Sequence, residues 1–360
     1  MGLPPVPNAL IVGATGLVGQ ELLSLLESRS FPRGELRLAG SERSAGTACE
    51  AGGERLRIRP LDASAFDGID LVFMAADPDT SRHWAPLAAA AGATVIDNSS
   101  AFRLDPAVPL VVPEVNPHAL PAPAAGGRII ANPNCSTILA LMAATPVDSL
   151  AGVRRMLACT YQAASGGGRT LLETLERQAR AWAAGAAEDS ERPYHFNLFS
   201  HDSPVDAEGS NREEAKLRLE TARIWDRSDL PVSATCVRVP VPRAHTIALH
   251  LQLERPVSVD EARAAVAAFP GVRLVDDPAT GRFPEPRDAA GGDEVLVGRI
   301  RHDAAMDPEG LGPRGLAMLL SGDQLRKGAA LNAVQIAETL LRNAGHAAPA
   351  EPGTAVGPVA

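Results

Sequence analysis

The sequence near the amino terminus reads Ala9-Leu10-Ile11-Val12-Gly13-Ala14-Thr15-Gly16-Leu17-Val18-Gly19. An apolar strand, a turn with G-x-x-G-x-x-G spacing and a helical stretch follow one another, which is typical of the start of a dinucleotide-binding domain. In such a turn the backbone N–H groups at the helix start receive a pyrophosphate, whereas a tight turn without a ligand is the alternative. We therefore predict cofactor contacts from Gly13, Thr15, Gly16, Leu17, Val18 and Gly19.

The second predicted strand, residues 36–39, indicates which dinucleotide is bound. It does not end in the acidic residue that holds the ribose 2′-hydroxyl of NAD. The loop after it offers Ser41, Arg43 and Ser44 instead, and hydroxyl and guanidinium groups suit a 2′-phosphate. The sequence therefore predicts NADP, with a solvated loop of mixed charge as the alternative, since Glu42 lies in the same segment.

Composition excludes several classes of protein. The chain has 360 residues, of which 45% are hydrophobic and 21% charged, as in an ordinary globular protein of two domains. A net charge of −9 argues against a nucleic-acid partner. We see neither a long apolar run nor a basic signal segment, so we expect a cytoplasmic protein without a membrane partner. The four cysteines lack the paired spacing of zinc sites, and no metal is expected.

Predicted strands continue along the first part of the chain at 70–75, 94–96, 110–112 and 128–131. Helical or loop segments such as 81–91 separate them, and this alternation is typical of a parallel sheet covered on both faces. Further strands are predicted near 156–162, 234–239, 247–253 and 294–301. The fold class is therefore α/β: a doubly wound nucleotide-binding domain plus a second α+β domain.

The domain boundaries follow from the same pattern. Residues 1–134 are assigned to the Rossmann-like domain, which a returning helix at 324–343 completes. Residues 135–323 form the second domain. Residues 344–360, rich in Ala, Pro and Gly and without periodicity, are expected to be a disordered tail.

The second informative segment surrounds a cysteine and reads Ile129-Ile130-Ala131-Asn132-Pro133-Asn134-Cys135-Ser136-Thr137-Ile138. It sets Cys135 between an apolar strand and a predicted helix from Ser136 to about Ala144. N–H groups and the dipole at a helix start favour a thiolate, and the same groups can hold an oxyanion. A buried cysteine acting as a small hydrophobic residue is the alternative. The polar residues on both sides favour a nucleophile.

Five segments together carry a resemblance to a known family: residues 13–19, 97–103 (Asp-Asn-Ser-Ser-Ala-Phe-Arg), 132–138, 160–166 (Thr-Tyr-Gln-Ala-Ala-Ser-Gly) and 238–245 (Arg-Val-Pro-Val-Pro-Arg-Ala-His). In their order and spacing they are similar to the aspartate-β-semialdehyde dehydrogenases of the bacterial and plant branch. The resemblance implies NADPH-dependent reductive dephosphorylation of β-aspartyl phosphate to aspartate 4-semialdehyde, in lysine, threonine and methionine biosynthesis. It also implies a homodimer or a dimer of dimers, with the second domain forming the interface.

The resemblance also implies roles for particular residues. Cys135 would attack the acyl phosphate to form a thioester, which hydride then reduces. His245 would be the general acid/base, a role that suits a group titrating near neutrality, and Gln162 would orient the substrate. Substrate contacts are implied for Arg103, Asn134, Glu213, Lys216 and Arg238, and further cofactor contacts for Ser165, Gly166 and Asn332.

The charged residues among these substrate contacts would each bind a different group of the substrate. Arg238 suits the α-carboxylate, because a guanidinium binds a carboxylate with two parallel hydrogen bonds. Arg103 and Lys216 would bind the phosphate, and Glu213 the ammonium group. On sequence alone Glu213 and Lys216 would be a solvated i, i+3 ion pair, and only the resemblance assigns them to a site.

One segment departs from the family pattern, and two alternative functions remain. Where the family has Gly-Gly-Ser beside the cofactor, this chain has Asp77-Pro78-Asp79, which would repel a pyrophosphate and lacks one N–H donor.

The related N-acetyl-γ-glutamyl-phosphate reductases perform the same chemistry, but the segment before their cysteine reads Asn-Pro-Gly-Cys. This chain has Asn134 in place of that glycine, which argues against this alternative. A non-catalytic NADP-binding relative is the other alternative, which the retained Cys135 argues against.

Overall fold

The computed structural model describes residues 2–122, 126–186, 193–307 and 312–347. The chain divides into two compact units, one of residues 1–134 and 329–360 and the other of residues 135–328. Most of the predicted tail, residues 348–360, lies outside the described residues. In chain order the α-helices are α1 (Leu17–Ser28), α2 (Pro78–Ala90), α3 (Cys135–Ala151), α4 (Arg169–Ala183), α5 (Arg212–Ile224), α6 (Val259–Ala267), α7 (Pro286–Ala289) and α8 (Leu331–Asn343).

The first unit is built on a seven-stranded sheet in the order β3-β4-β2-β1-β5-β6-β7. Its strands are β1 (Ala9–Val12), β2 (Leu36–Gly40), β3 (Ala48–Ala51), β4 (Glu54–Pro60), β5 (Leu71–Met74), β6 (Thr94–Asp97) and β7 (Arg128–Ala131). All neighbours are parallel except β3, which pairs antiparallel with β4. Every residue of β1, β5 and β6 is buried, as expected for central strands of a parallel sheet covered on both faces.

Helices cover this sheet on both sides. Leu22 and Leu26 of α1 share one core cluster with Val334 and Ile336 of α8. A separate cluster joins Ala85 of α2 to the other face of the sheet. Two clusters separated by one sheet define a doubly wound arrangement, so the predicted fold class is confirmed.

Three local predictions in this unit were wrong or incomplete. The returning helix was predicted from 324, but a π-helical segment, Arg326–Ala330, precedes α8. Residues 110–112 form no strand, only a single bridge from Leu110 to Ala131. The hairpin β3–β4 was not predicted, although the Gly52-Gly53 pair in the sequence is typical of a two-residue hairpin turn. Both glycines have the positive φ that such a turn requires.

The second unit contains a mixed seven-stranded sheet in the order β12-β13-β14-β11-β8-β10-β9. Its strands are β8 (Val153–Gln162), β9 (Phe199–Ser200), β10 (Val232–Arg238), β11 (His245–Leu253), β12 (Val272–Leu274), β13 (Val295–His302) and β14 (Gly315–Gly322). Buried and half-buried residues alternate along β11, so one face of the sheet is in the core and the other is more open. The predicted strands correspond to β8, β10, β11 and β13, while β9, β12 and β14 were not predicted.

Helix α3 is the central helix of the second unit. Its residues from Ser136 to Val147 are all buried, because the helix is apolar on every side and packs against α5, α6 and the sheet. Its first residue is Cys135, one position earlier than predicted. The structure thus sets the candidate nucleophile at the start of a rigidly packed helix. Among the described residues no helix is long and apolar enough to span a membrane.

Candidate active site

Cys135 lies at the amino-terminal end of α3, where backbone N–H groups have no partner within the helix itself. It forms no disulfide within the described part of the chain and is partly exposed, whereas the residues that follow it are buried. The backbone of Gly328 approaches closely, because a Cβ atom there would lie 2.9 Å from the Cβ of Cys135. The sulfur is therefore reachable, while the helix that carries it is fixed.

The side chain of His245 lies directly beside this sulfur. Its Nε2 lies 3.6 Å from the Cys135 Sγ, and its Nδ1 accepts a hydrogen bond of 3.0 Å from the Ala163 backbone N–H. Because Nδ1 accepts, the proton of the neutral ring is on Nε2, the atom that faces the sulfur. Burial, aided by the positive charge of Arg238, lowers the pKa of His245 to about 3. The ring is thus neutral in this structure, unlike the group titrating near neutrality that the sequence analysis assumed.

Gln162, the last residue of β8, joins the nucleophile helix to Arg238. Its amide nitrogen donates to the hydroxyl of Ser136 at 3.1 Å and to that of Thr160 at 3.2 Å. Its amide oxygen accepts from Nη1 of Arg238 at 3.3 Å. Gln162 and Arg238 are partners in the parallel register of β8 and β10, which brings the two strand ends together. Sequence alone did not indicate Ser136 or Thr160 as partners of Gln162.

Arg238 is only 3% exposed, yet its charge is weakly paired. Beyond Gln162 it donates at 3.5 Å to the Ala163 carbonyl and lies 3.6 Å from a carboxylate oxygen of Asp202. Its buried Nε has no hydrogen-bond partner among the described residues. A buried guanidinium with spare donors is suited to bind an anion.

Glu213 and Lys216 lie one turn apart on α5 and form the ion pair that their spacing predicted. Glu213 is buried, so the pair is not a simple solvated surface pair. The helix start is fixed by a capping box in which Asn211 and Glu214 bond each other's backbone N–H groups. The negative charge of Glu213 acts on His245, which indicates that the two groups share one neighbourhood.

The segment 163–168 packs directly against His245. A Cβ atom on Gly166 would lie 2.6 Å from Cε1 of His245 and 3.3 Å from Nη1 of Arg238, so only glycine fits there. The Ser165 hydroxyl donates to the carbonyl of Pro242 at 2.6 Å and accepts from Gln324 at 2.6 Å. The two residues predicted to contact the cofactor are thus also part of the scaffold of the catalytic cluster.

Two residues that were not predicted from the sequence form hydrogen bonds that hold this segment in place. Gln324 accepts the backbone N–H of Ala244, the residue before His245, at 2.9 Å. Asp323 is fully buried and accepts from Arg243 at 2.6 Å and from the backbone N–H of Gly291 at 2.6 Å. The signal available in the sequence was the polar pair that directly follows the apolar run of β14.

In the first unit the three glycines of the amino-terminal turn have different surroundings. A Cβ atom on Gly13 would lie 2.3 Å from the Ala75 carbonyl oxygen, and one on Gly19 would lie 2.3 Å from that of Gly13. On Gly16 the nearest atom would be 3.4 Å away, an ordinary contact. Gly13 and Gly19 are therefore required by the protein itself, whereas the space beside Gly16 is free for a ligand to approach.

The start of α1 is chemically suited to an anion. Gly16 is its N-cap and supplies no side-chain cap, and the first turn, which includes Leu17 and Val18, carries no acidic residue. Thr15 completes the turn. The loop after β2 places Ser41 and Arg43 in exposed positions, with the Ser44 hydroxyl donating to the Ser41 carbonyl at 2.9 Å. No hydrogen bond or ion pair holds Arg43 within the described part of the chain.

The unusual Asp77-Pro78-Asp79 segment has a structural explanation. Asp77 is the N-cap of α2 and accepts from the backbone N–H groups of Asp79 and Thr80, each at 3.0 Å. A hydrogen bond from the Thr80 hydroxyl is the main cause that lowers the pKa of Asp77. Pro78 occupies the first helical position, where its missing N–H costs nothing. The acidic residue that departs from the family pattern therefore begins a helix.

The remaining predicted residues of the first unit are fixed by backbone carbonyls and amides. Arg103 is buried and donates to the carbonyls of Asn132 at 2.9 Å and Asn98 at 2.7 Å. Asn332 donates to the Val111 carbonyl at 2.9 Å and to the Asn132 side chain at 2.6 Å. Both N–H groups of the Asn332 amide are therefore used inside this unit. Asn134 is buried directly before Cys135.

Comparison with known proteins defines the class. The family model for the semialdehyde dehydrogenase NAD binding domain matches residues 8–122, and that for the semialdehyde dehydrogenase dimerisation domain matches residues 145–327. The chain thus has both domains of the semialdehyde dehydrogenase family.

Comparison with individual relatives shows which semialdehyde dehydrogenases the chain is similar to. The chain is 48% identical to the aspartate-semialdehyde dehydrogenase of Synechocystis sp., over 94% of this chain and 98% of the relative. It is 44% identical to that of Aquifex aeolicus, over 92% and 97%. The crystal structure of aspartate semialdehyde dehydrogenase II from Vibrio cholerae has a TM-score of 0.85 and 37% identity, covering 94% and 99%. The same Vibrio protein has also been solved in complex with ASA. The chain belongs to the aspartate-semialdehyde dehydrogenase family.

Proposed function

We propose that this protein reduces β-aspartyl phosphate to aspartate 4-semialdehyde with release of phosphate, a step of lysine, threonine and methionine biosynthesis. One observation carries the proposal: in a chain 48% identical to a named aspartate-semialdehyde dehydrogenase, the Cys135 sulfur lies 3.6 Å from a histidine nitrogen that bears a proton. Gln162 and Arg238 join this pair into one connected cluster.

The reaction begins at Cys135. The thiolate attacks the acyl carbon of the substrate, the bond from that carbon to the phosphate oxygen breaks, and phosphate leaves, so that a thioester remains. NADPH, when bound, supplies the hydride that reduces the thioester carbonyl. The carbon–sulfur bond then breaks, which releases the aldehyde and restores the thiolate. Covalent capture divides one difficult reduction into two easier steps.

The surrounding groups act on charge that develops during these steps. The Nε2–H of His245 faces the sulfur and donates to the thiolate and then to the oxyanion that forms beside it. Backbone N–H groups at the start of α3 provide further donors to that oxyanion. Gln162 orients the substrate carbonyl. Cys135 and Gln162 keep the roles predicted from the sequence, whereas His245 acts in this proposal as a neutral hydrogen-bond donor and not as a group titrating near neutrality.

The substrate's own charged groups need fixed partners. Arg238, with a buried Nε that lacks a partner among the described residues, binds the α-carboxylate. Glu213 binds the ammonium group, and Lys216 with Arg103 binds the phosphate. Asn134 contacts the substrate next to the nucleophile.

For the cofactor we propose NADP. The open space beside Gly16 and the uncapped start of α1 support pyrophosphate binding by the turn from Gly13 to Gly19. Exposed Ser41 and Arg43, with Ser44, support recognition of the 2′-phosphate. Ser165, Gly166 and Asn332 are proposed to contact the nicotinamide end.

We further propose that the protein is a homodimer formed through the open face of the second sheet. Tyr161, which is 38% exposed, and the exposed Cys159 lie on this face in the last part of β8. The match of residues 145–327 to a dimerisation domain supports a second copy as the partner. Sedimentation velocity would give the mass in solution and would also show whether dimers pair further.

Turnover in the oxidative direction tests the function most directly. Aspartate 4-semialdehyde, phosphate and NADP should give NADPH, and leaving out phosphate should stop the reaction because no acceptor then releases the thioester. The N-acetylated semialdehyde of glutamate serves as the matched control and should be a much poorer substrate. Faster turnover of the N-acetylated aldehyde would assign the protein to the other reductase family, and no turnover of either would contradict the proposal.

A further inference from the structure

Arg238 already has a carboxylate beside it before any substrate binds. The nearer Asp202 oxygen lies 3.6 Å from Nη2 of Arg238, too far for a tight ion pair but close enough to offset the buried positive charge. The other contacts of this guanidinium are long, at 3.3 Å and 3.5 Å from Nη1, and Nε has no partner among the described residues. Among the residues that the structure describes, Asp202 is the carboxylate within ion-pair distance of this guanidinium.

Asp202 lies on a segment whose backbone is fixed while its own side chain is not. The neighbouring His201 donates its backbone N–H to the Cys236 carbonyl at 3.0 Å, and the Ser203 N–H donates to Nδ1 of His201 at 3.2 Å. The Ser203 hydroxyl in turn accepts the Arg212 N–H, at the start of α5. The side chain of Asp202 is 51% exposed, and besides Arg238 it faces Nδ1 of His201 at 3.5 Å. It can rotate into solvent without breaking the backbone hydrogen bonds of this segment.

We infer that Asp202 competes with the substrate carboxylate for Arg238 and thereby sets the affinity for the substrate. This inference rests on the proposed function, in which Arg238 binds the α-carboxylate. Two carboxylates beside one guanidinium repel each other, so the substrate must displace Asp202 to form its two parallel hydrogen bonds. The affinity for the substrate is therefore lower than it would be without Asp202.

The substitution Asp202→Asn tests this inference, because it removes the competing charge and keeps the shape. Steady-state kinetics in the oxidative direction should show a KM for aspartate semialdehyde that is lower by about two- to tenfold, the range expected for a partly exposed ion pair. The kcat and the KM values for phosphate and NADP should stay the same, since Asp202 contacts neither the reacting atoms nor those ligands. Asp206→Asn is the matched control, because Asp206 lies in the same segment but bonds only backbone N–H groups of Glu208 and Ser210 through its side chain.

Each outcome has a distinct meaning. An unchanged KM in Asp202→Asn would overturn the inference, and a higher KM would show that Asp202 helps to bind the substrate instead of excluding it. If the unmodified protein does not turn over aspartate semialdehyde, the proposed function fails first. Should Asp202→Asn melt at a lower temperature than the unmodified protein, Asp202→Ser provides a second variant with the same expected fall in KM.

Discussion

The glycine turn of the first unit and the cysteine cluster of the second are built in opposite ways. The turn is one continuous stretch, residues 9–19, in which neighbouring residues constrain one another. The cluster takes Cys135 from the start of α3, Gln162 and Arg238 from the ends of two parallel strands, and His245 from the start of an antiparallel strand. The shape of the proposed cofactor turn thus depends on local backbone geometry, whereas that of the proposed catalytic cluster depends on the packing of four elements.

The largest effect is expected from Cys135→Ala. Without a sulfur no thioester can form, so turnover should be abolished, while NADP binding and the melting temperature should stay close to those of the unmodified protein. Mass spectrometry after addition of acyl phosphate should find an acyl-enzyme only when Cys135 is present. Measurable turnover by Cys135→Ala would refute the covalent mechanism and the assignment of the cluster.

A smaller loss is expected from His245→Asn. Acylation should survive and the rate should fall by roughly 10²–10³-fold, the usual cost of losing one hydrogen-bond donor to an oxyanion. Because burial lowers the pKa of His245 to about 3, the ring should stay neutral at higher pH. The pH profile of Cys135 alkylation between about pH 5 and pH 8 should therefore show no limb due to this histidine. Such a limb, present in the unmodified protein and absent in His245→Asn, would contradict the pKa direction.

In the first unit, Arg43→Ala should weaken NADP binding by about 1.5–3 kcal/mol, as expected for a charge-assisted hydrogen bond to the 2′-phosphate. NAD binding should not change, because NAD lacks that phosphate. Isothermal titration with both cofactors measures the difference. Equal affinities of the unmodified protein for NAD and NADP would contradict the role of this loop.

The smallest effects are expected from alanine substitutions at two glycines of the amino-terminal turn, and they should differ in kind. Gly19→Ala places a methyl group 2.3 Å from a backbone oxygen, so the free energy of unfolding should fall by about 1–3 kcal/mol. Gly16→Ala meets its nearest atom at 3.4 Å and should cost less stability, but it should weaken NADP binding by about 1–3 kcal/mol. Denaturant unfolding and cofactor titration on both variants give the two numbers. Unchanged NADP affinity in Gly16→Ala would show that the cofactor does not approach this residue.

The same contrast explains how far the sequence could predict the molecule. The strand, turn and helix at residues 9–28 lie next to one another in the chain, so their pattern was sufficient. Residues Ser136 and Thr160 were not predicted as partners of Gln162, because their contacts arise only when α3 packs on β8. Asp202 gave no signal, since it follows the two-residue strand β9 and pairs with a residue far along the chain. The neutral state of His245 depends on complete burial, which a motif does not report.

Helix α3, buried along nearly its whole length, has a consequence for how activity is lost on heating. We expect the amide protons of its buried stretch, Ser136 to Val147, to exchange with solvent mainly when the second unit opens as a whole. The proposed nucleophile, which directly precedes this stretch, should therefore keep its place until the unit melts. Thermal inactivation should coincide with cooperative melting of this unit, and protein engineers who seek a longer-lived enzyme would gain more from slowing global unfolding than from stiffening surface loops.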